Sequence, residues 1–94
     1  MSDINDTLTE RGSRYGVFTG HAEISQRLQR AIREHAAMCG RGLIEDAVLC
    51  EAINMICHKL GRIANGDPTY DDSWRDIAGY AMLVVRYLNG ESTE

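Results

Sequence analysis

Apolar residues recur at helical spacing in three long segments of this chain. Over residues 20–37 they fall three or four positions apart, with charged residues mostly on the other side, which predicts an amphipathic helix. Two broader apolar surfaces predict helices over residues 44–64 and 70–88. The apolar positions are Ile24, Leu28, Ala31, Ile32 and His35 in the first segment, Ile44, Ala47, Val48, Ala52, Met55, Ile56, Leu60 and Ile63 in the second, and Trp74, Ile77, Ala78, Ala81, Val84, Val85 and Leu88 in the third.

Helix-breaking residues separate these segments. Glycines follow the first segment at Cys39-Gly-Arg-Gly42, and Asn65-Gly-Asp-Pro68 ends the second. A short N-terminal helix is expected from about Asp3 to Arg11, stopped by Gly12. Residues 90–94 are expected to fray.

The connection between the last two helices is short, so they are expected to form an antiparallel hairpin against which the helix over 20–37 packs. Thr69 or Asp71 is expected to cap the last helix, which should begin near Tyr70 or Asp71 and reach Leu88. The fold class is therefore all-α.

The composition predicts one helical domain over residues 1–94, because 44% of the residues are hydrophobic and only one is proline. A helical chain of 94 residues has little room for a large core of its own, so we expect a homo-oligomer. The sequence has no signal-peptide pattern and no apolar run near the roughly 20 residues that cross a bilayer. We therefore expect a cytoplasmic protein without a membrane partner.

The net charge of −4 is unevenly distributed along the chain. Residues 1–10 carry three acids, residues 11–42 carry six arginines against two glutamates, and residues 43–94 carry four bases against nine acids. The acidic total argues against long nucleic acid as a partner. A small phosphorylated molecule needs only a local basic pocket.

The segment Arg11-Gly-Ser-Arg-Tyr-Gly-Val-Phe18 is the strongest candidate for ligand contact, and we expect it to form a turn between helices. Its glycines allow close approach of the backbone to a ligand, its arginines match phosphate oxygens, and its rings can stack on a base. The structural alternative is a helix-ending turn, with Gly12 as a C-cap and both aromatic rings in the core.

Lys59 and Arg62 are three residues apart and share a helix face. If the turn folds over that face, its arginines and these two bases converge on one phosphate-bearing ligand. The alternative is that both bases pair with Asp72 and Asp76 across the hairpin. His21, at a helix start, is a candidate donor to the ligand. The predicted ligand-binding residues are Arg11, Gly12, Arg14, Tyr15, Gly16, Phe18, His21, Lys59 and Arg62.

The three cysteines are expected to be buried free thiols, since two of them lie about 10 Å apart along one helix and cannot bridge. Cys57 and His58 are adjacent and point about 100° apart on a helix, and no second Cys/His pair exists to complete a zinc site. His35 is expected in the core or at an interface. No catalytic nucleophile pattern is present.

Two further blocks resemble a family of small uncharacterised phage proteins. They are Gly61-Arg-Ile-Ala-Asn-Gly-Asp-Pro68 and Asp72-Ser-Trp-Arg-Asp-Ile-Ala-Gly-Tyr-Ala81, and Glu10-Arg-Gly-Ser-Arg-Tyr-Gly16 fits the same family. The resemblance implies expression in a host bacterial cytoplasm and carries no activity. More distantly, the hairpin resembles the all-α MazG-type nucleotide pyrophosphohydrolases and phage nucleotide-modification-associated helical domains.

The MazG resemblance implies carboxylates on two facing helices that bind Mg²⁺. Glu51, Asp72 and Asp76 are the candidates, but Glu51 is followed three residues on by Asn54 rather than an acid, and the second acidic run of the family is absent. Asp72 and Asp76 share a helix face and have a structural alternative as capping or ion-pairing residues. The metal site is therefore at best half complete, and we expect no cofactor.

Phage proteins that sequester the nucleotide signals of bacterial defence systems resemble this chain in size and character. We therefore predict a phage-encoded protein that binds and sequesters a nucleotide-derived small molecule, such as a bacterial immune signal, without turnover. The first alternative is a Mg²⁺-dependent nucleotide pyrophosphohydrolase of the MazG-like type. The second is a protein-interaction module that blocks a host factor.

Overall fold

The computed structural model describes residues 2–91, which form four α-helices and, within that range, no strand. They are α1 (Ser2–Tyr15), α2 (Phe18–Cys39), α3 (Ala47–Asn65) and α4 (Asp71–Leu88). The predicted all-α class is confirmed. Met1 and residues 92–94, which include most of the tail expected to fray, lie outside the described residues.

Helix α3 is the centre of the arrangement, because α2 and α4 both pack against it. Helices α3 and α4 form the predicted hairpin, and the predicted packing of α2 against it is made through α3. Helix α1 makes smaller contacts with α2 and α3. The chain therefore places the end of α1, the start of α2 and the end of α3 side by side.

Two helix starts differ from the prediction. Helix α3 begins at Ala47, three residues later than expected, because the Asp46 side chain caps it by accepting hydrogen bonds from the N–H groups of Val48 (3.0 Å) and Leu49 (3.1 Å). Helix α2 begins at Phe18, before the expected Gly20 or His21.

Helix α4 has the predicted bounds but not the predicted cap. Tyr70 occupies the N-cap position and makes no side-chain capping bond, so the prediction of Thr69 or Asp71 as the cap is wrong. Asp67 instead accepts hydrogen bonds from the backbone N–H and the hydroxyl of Thr69, at 2.9 and 2.7 Å. This local turn provides hydrogen-bond partners for polar groups before α4 and connects α3 to α4.

The interior is small. Among the described residues only Ala52 and Cys57 are buried apolar side chains, while many large ones remain exposed. Trp74 is half exposed, although it belongs to the predicted core stripe of α4. Cys39 and His35 are exposed in this single chain, so the predicted burial of Cys39 and a core position for His35 are wrong, while an interface position for His35 stays a prediction. They contact each other, with Cys39 Sγ 3.2 Å from His35 Nε2.

No helix of the described chain combines the length and apolar character needed to cross a membrane.

At the other end of the hairpin, the Tyr87 hydroxyl donates to Asp46 Oδ2 at 3.0 Å and connects the end of α4 to the start of α3. The N–H of Glu91 donates to the carbonyl of Arg86 at 2.9 Å, which bonds one terminal carbonyl of α4.

Candidate functional site

The segment expected to be a turn is mostly helical. Helix α1 continues through Gly12 to Tyr15, so the predicted stop at Gly12 is wrong. The helix ends at Gly16, whose φ of +79° is a left-handed conformation that favours glycine. Contacts of the last α1 residues with the hairpin offset the roughly 1 kcal/mol by which a mid-helix glycine destabilises the helix.

Asn65, the last residue of α3, attaches the end of α1 to the hairpin. Its side-chain amide donates to the carbonyl oxygens of Tyr15 (3.0 Å) and Val17 (2.7 Å). Two residues later, the N–H of Asp67 donates to the carbonyl of Arg14 at 2.7 Å. The attachment of α1 to this end of α3 therefore uses backbone acceptors at the end of α1.

Gly66 permits this attachment because the α1 backbone passes directly over its Cα. A Cβ atom at this position would collide with the backbone of Arg14 and Tyr15. Any other residue would therefore push α1 away from α3. The Asn65-Gly66 pair thus contributes both the hydrogen bonds and the space of this junction.

Two arginines flank a pair of tyrosine rings in a stack above the junction. The Arg62 guanidinium lies 4.2 Å from the centroid of the Tyr15 ring, which meets the Tyr70 ring edge to face at 6.0 Å. Arg14 covers Tyr70 at 4.6 Å. Each arginine in this stack gains a cation–π contact.

The Tyr15 hydroxyl lies 3.5 Å from Asp72 Oδ2, at the start of α4. Burial of the phenol raises its pKa, opposed by the nearby Arg62 guanidinium, while the Asp72 carboxylate raises the pKa further. Tyr15 is therefore a neutral hydrogen-bond donor at physiological pH.

A cleft of about 360 Å³ opens between the end of α1, the start of α2 and Arg62 of α3. It is large enough for a small molecule. Phe18 is 72% exposed beside it and offers a free ring face. The residues that line it are Leu8, Arg11, Gly12, Tyr15, Gly16, Val17, Phe18, His21 and Arg62, and this set includes two guanidinium groups and no carboxylate.

His21 forms the floor of the cleft. It is buried, and its Nε2 lies 3.0 Å from the carbonyl oxygen of His58. Since a carbonyl only accepts, Nε2 carries the proton and donates. Burial lowers the His21 pKa, and the charges of Arg62 and Lys59 lower it further, while the hydrogen bond to His58 raises it. The ring is therefore neutral, and its Nδ1 is a hydrogen-bond acceptor. The ring N–H of His21 is thus bonded to His58, which leaves no ring N–H for the donor role toward a ligand that the sequence predicts.

The structure brings seven of the nine predicted ligand-binding residues to this cleft. They are Arg11, Gly12, Tyr15, Gly16, Phe18, His21 and Arg62. Arg14 and Lys59 lie elsewhere. Arg14 covers Tyr70, and the largely buried Lys59 forms an ion pair with Asp76 at 2.9 Å, which is the alternative that the sequence left open. The expected convergence of four bases is therefore reduced to Arg11 and Arg62.

Sequence reasoning missed the contributions of Leu8, Val17 and Asn65. Leu8 belongs to the first helix, two turns before its end, and only the continuation of that helix through Gly12 reveals its place in the wall. Asn65 was assigned to a helix stop, which is its common role before glycine. The dense glycines at 16, 20, 61 and 66 were an available signal of close packing between segments.

The three candidate metal ligands do not converge. Glu51 lines an apolar groove with Tyr80 and Leu83, whereas Asp76 binds Lys59 two helical turns further along α3. In residues 2–91 no group of three or more His, Cys, Asp or Glu side chains is arranged to hold a metal ion. The carboxylates that the MazG resemblance implies as Mg²⁺ ligands are therefore not brought together within the described residues of one chain.

Comparisons of the chain with protein-family models, with curated proteins and with solved structures found no match.

Proposed function

We propose that this protein binds a small phosphorylated nucleotide in the cleft between α1, α2 and α3 and holds it without chemical change. The observation that carries the proposal is that Arg11, Arg62 and the exposed ring of Phe18 line one cleft whose described walls hold no carboxylate. As the sequence indicates, capture of a nucleotide-derived signal by a phage-encoded protein is the biological role we propose.

The two arginines supply the phosphate site. Within residues 2–91 neither Arg11 nor Arg62 forms an ion pair, unlike Arg27 and Arg75, which pair with acids one turn away on their own helices. The cation–π contact with Tyr15 holds the Arg62 guanidinium beside the cleft without using an ion pair, and a guanidinium can bind phosphate oxygens through paired N–H groups.

The rings supply the base site. Phe18 projects its ring at the mouth of the cleft, and its contact with His21 is edge to face, with ring centroids 5.8 Å apart. A face of Phe18 is therefore free for base stacking, a contact worth about 1–3 kcal/mol. His21 Nδ1 adds one acceptor for an amino group of the base.

The first test measures thermal unfolding with a panel of linear and cyclic nucleotides, with and without Mg²⁺. A bound nucleotide raises the unfolding temperature by mass action, and this shift should not require Mg²⁺. The complex is then denatured by heat and the released molecules are analysed. Recovery of the intact nucleotide supports capture; recovery of hydrolysed products contradicts it and supports the pyrophosphohydrolase alternative.

The second test uses Arg11→Gln and Phe18→Ala, because both side chains are exposed and contribute little to folding. Each change should weaken nucleotide binding about tenfold or more by isothermal titration, since each removes one phosphate or base contact. Arg33→Gln, an exposed position on α2 outside the cleft, is the matched control and should bind normally. Equal affinity in all three variants would refute this cleft as the site.

A further inference from the structure

Gly79 lies in the middle of α4, and no contact within its own chain explains a glycine at this position. A Cβ atom added to it would meet no atom within 4 Å, so neither packing nor a turn requires glycine. A glycine in a helix interior destabilises the helix relative to alanine. Close approach of another backbone to this point of α4 would account for it.

The face of α4 that contains Gly79 is exposed and self-complementary. Asp72, Arg75, Met82 and Arg86 share this face at helical spacing, and Met82 is 51% exposed. Asp72 precedes Gly79 by seven residues and Arg86 follows it by seven. Each charge therefore lies about 10 Å from the glycine along the helix, in opposite directions.

This symmetry has a specific geometric consequence. If two α4 helices cross antiparallel with Gly79 against Gly79, Asp72 of one chain lies opposite Arg86 of the other, and the same pair recurs on the second side of the two-fold axis. Arg75 then lies opposite Leu83, so that its aliphatic stem covers an apolar side chain. The antiparallel order also places the two helix dipoles favourably.

The exposed area of the chain is large enough for one interface with a second copy. The chain exposes 6735 Å², about 1,300 Å² more than the roughly 5,400 Å² expected of a folded monomer of its mass. A standard interface covers about 800 Å² on each partner. The excess is therefore sufficient for one such interface, and the Gly79 face of α4 contributes the exposed apolar side chains of Met82 and Leu83.

We propose that a second copy of this chain docks on this face of α4 to form a two-fold dimer, in which the helices cross at Gly79 and Asp72 pairs with Arg86 of the partner subunit. The arrangement brings that arginine next to Asp72, which lies 3.5 Å from the Tyr15 hydroxyl. The partner thereby places a positive charge beside the aromatic stack of each chain.

The test measures mass by analytical ultracentrifugation over a range of concentrations, without ligand, so that its outcome is separate from that of the nucleotide experiments. The wild-type protein should approach twice the mass of one chain. Asp72→Arg and Arg86→Asp should each weaken the dimer about tenfold or more, because each places like charges opposite one another. The double variant Asp72→Arg/Arg86→Asp should restore dimerisation to within about threefold of wild type.

Gly79→Leu provides a variant that keeps the fold, since leucine favours a helix and its Cβ meets open space in the single chain. It should be monomeric and no less helical than the wild type by circular dichroism. Arg33→Asp, a charge reversal of the same kind on α2, should leave the mass unchanged. A wild-type protein that stays monomeric up to about 100 µM, a Gly79→Leu protein that still dimerises, or a double variant as weak as the single ones overturns the proposal.

Discussion

Tyr15 illustrates how one side chain joins three elements of this protein. Its ring receives Arg62 of α3 on one face, meets Tyr70 from the α3–α4 connection, and directs its hydroxyl toward Asp72 of α4. A change at Tyr15 would therefore disturb the fold together with the cleft. Phe18 and Arg11 are better probes of binding, because their side chains project into solvent.

The His21–His58 pair predicts a pH dependence of stability. Burial is the main cause that lowers the His58 pKa from 6.5 to about 4, and electrostatic coupling to His21, Arg62 and Lys59 lowers it further. The unfolded chain therefore binds more protons between these two values, so the stability that neutral His58 contributes is fully present above pH 6.5 and is lost as the pH falls toward 4. We expect a loss on the order of 2 kcal/mol in the free energy of unfolding.

Urea denaturation at pH 7 and at pH 4.5 measures this loss. The variant His58→Gln should reduce the difference between the two pH values, because glutamine does not titrate, while His21 keeps its hydrogen bond to the backbone carbonyl of residue 58. His35→Gln is the matched control, since His35 is exposed, and it should keep the wild-type pH dependence. An identical profile in wild type and His58→Gln would exclude His58 as the source.

The Lys59–Asp76 ion pair predicts an asymmetry between its two partners. The Lys59 side chain is only 11% exposed, whereas that of Asp76 is 40% exposed and can be hydrated without its partner. Asp76→Asn leaves a largely buried ammonium without a counter-charge, so it should destabilise the protein by about 1–3 kcal/mol. Lys59→Met should cost about 1 kcal/mol or less, since methionine fills the space and leaves no buried charge.

Urea denaturation of the two single variants and of the double variant Lys59→Met/Asp76→Asn measures this asymmetry as a double-mutant cycle. The double variant should be more stable than Asp76→Asn alone. If Asp76→Asn proved as stable as the wild type, the pair would contribute nothing to the fold.

At the scale of elements, the junction between α1 and α3 predicts a local effect of Asn65. Asn65→Ala removes both side-chain donors and leaves the carbonyls of Tyr15 and Val17 without them. We expect a loss of about 1–3 kcal/mol and faster amide exchange over α1, measured by hydrogen–deuterium exchange. Asn5→Ala, on the exposed part of α1, should leave exchange near the junction unchanged.

The elements themselves were largely predictable from the sequence. Apolar spacing located α2, α3 and α4 because each buries one face against a neighbour, and the Asn65–Pro68 segment marked the hairpin connection correctly. The end of α1 was not predictable from local propensity. Gly12 destabilises an isolated helix, but tertiary contacts at Arg14 and Tyr15 extend α1 beyond it.

The candidate site was only partly predictable for the same reason. The segment from residue 11 to residue 18 supplies most of the cleft wall, and its arginines, glycines and rings were visible in the sequence. Which bases face the cleft depends on the ion pairs across the hairpin. Lys59 pairs with Asp76 and therefore does not contribute to the cleft. The spacing of bases along one helix does not show whether they bind a ligand or pair with acids on the neighbouring helix.

At the scale of the whole molecule, the small interior and the large exposed surface belong together. Only two apolar side chains are buried in the described chain, while 6735 Å² remains accessible. The dimer proposed above would add stability, because a second copy would cover apolar area that the four helices leave exposed. The unfolding temperature should therefore rise with protein concentration, and a constant value between about 1 and 100 µM would argue against association.

Because α1 is attached through its main-chain carbonyls, the position of this helix and the chemistry of the cleft wall depend on different atoms. Asn65 and Asp67 bind oxygen atoms that every amino acid carries, so the outward side chains at positions 8 and 11 are not needed to keep α1 in place. Those positions can therefore be randomised in a library to change the proposed nucleotide binding while the scaffold that presents them stays intact.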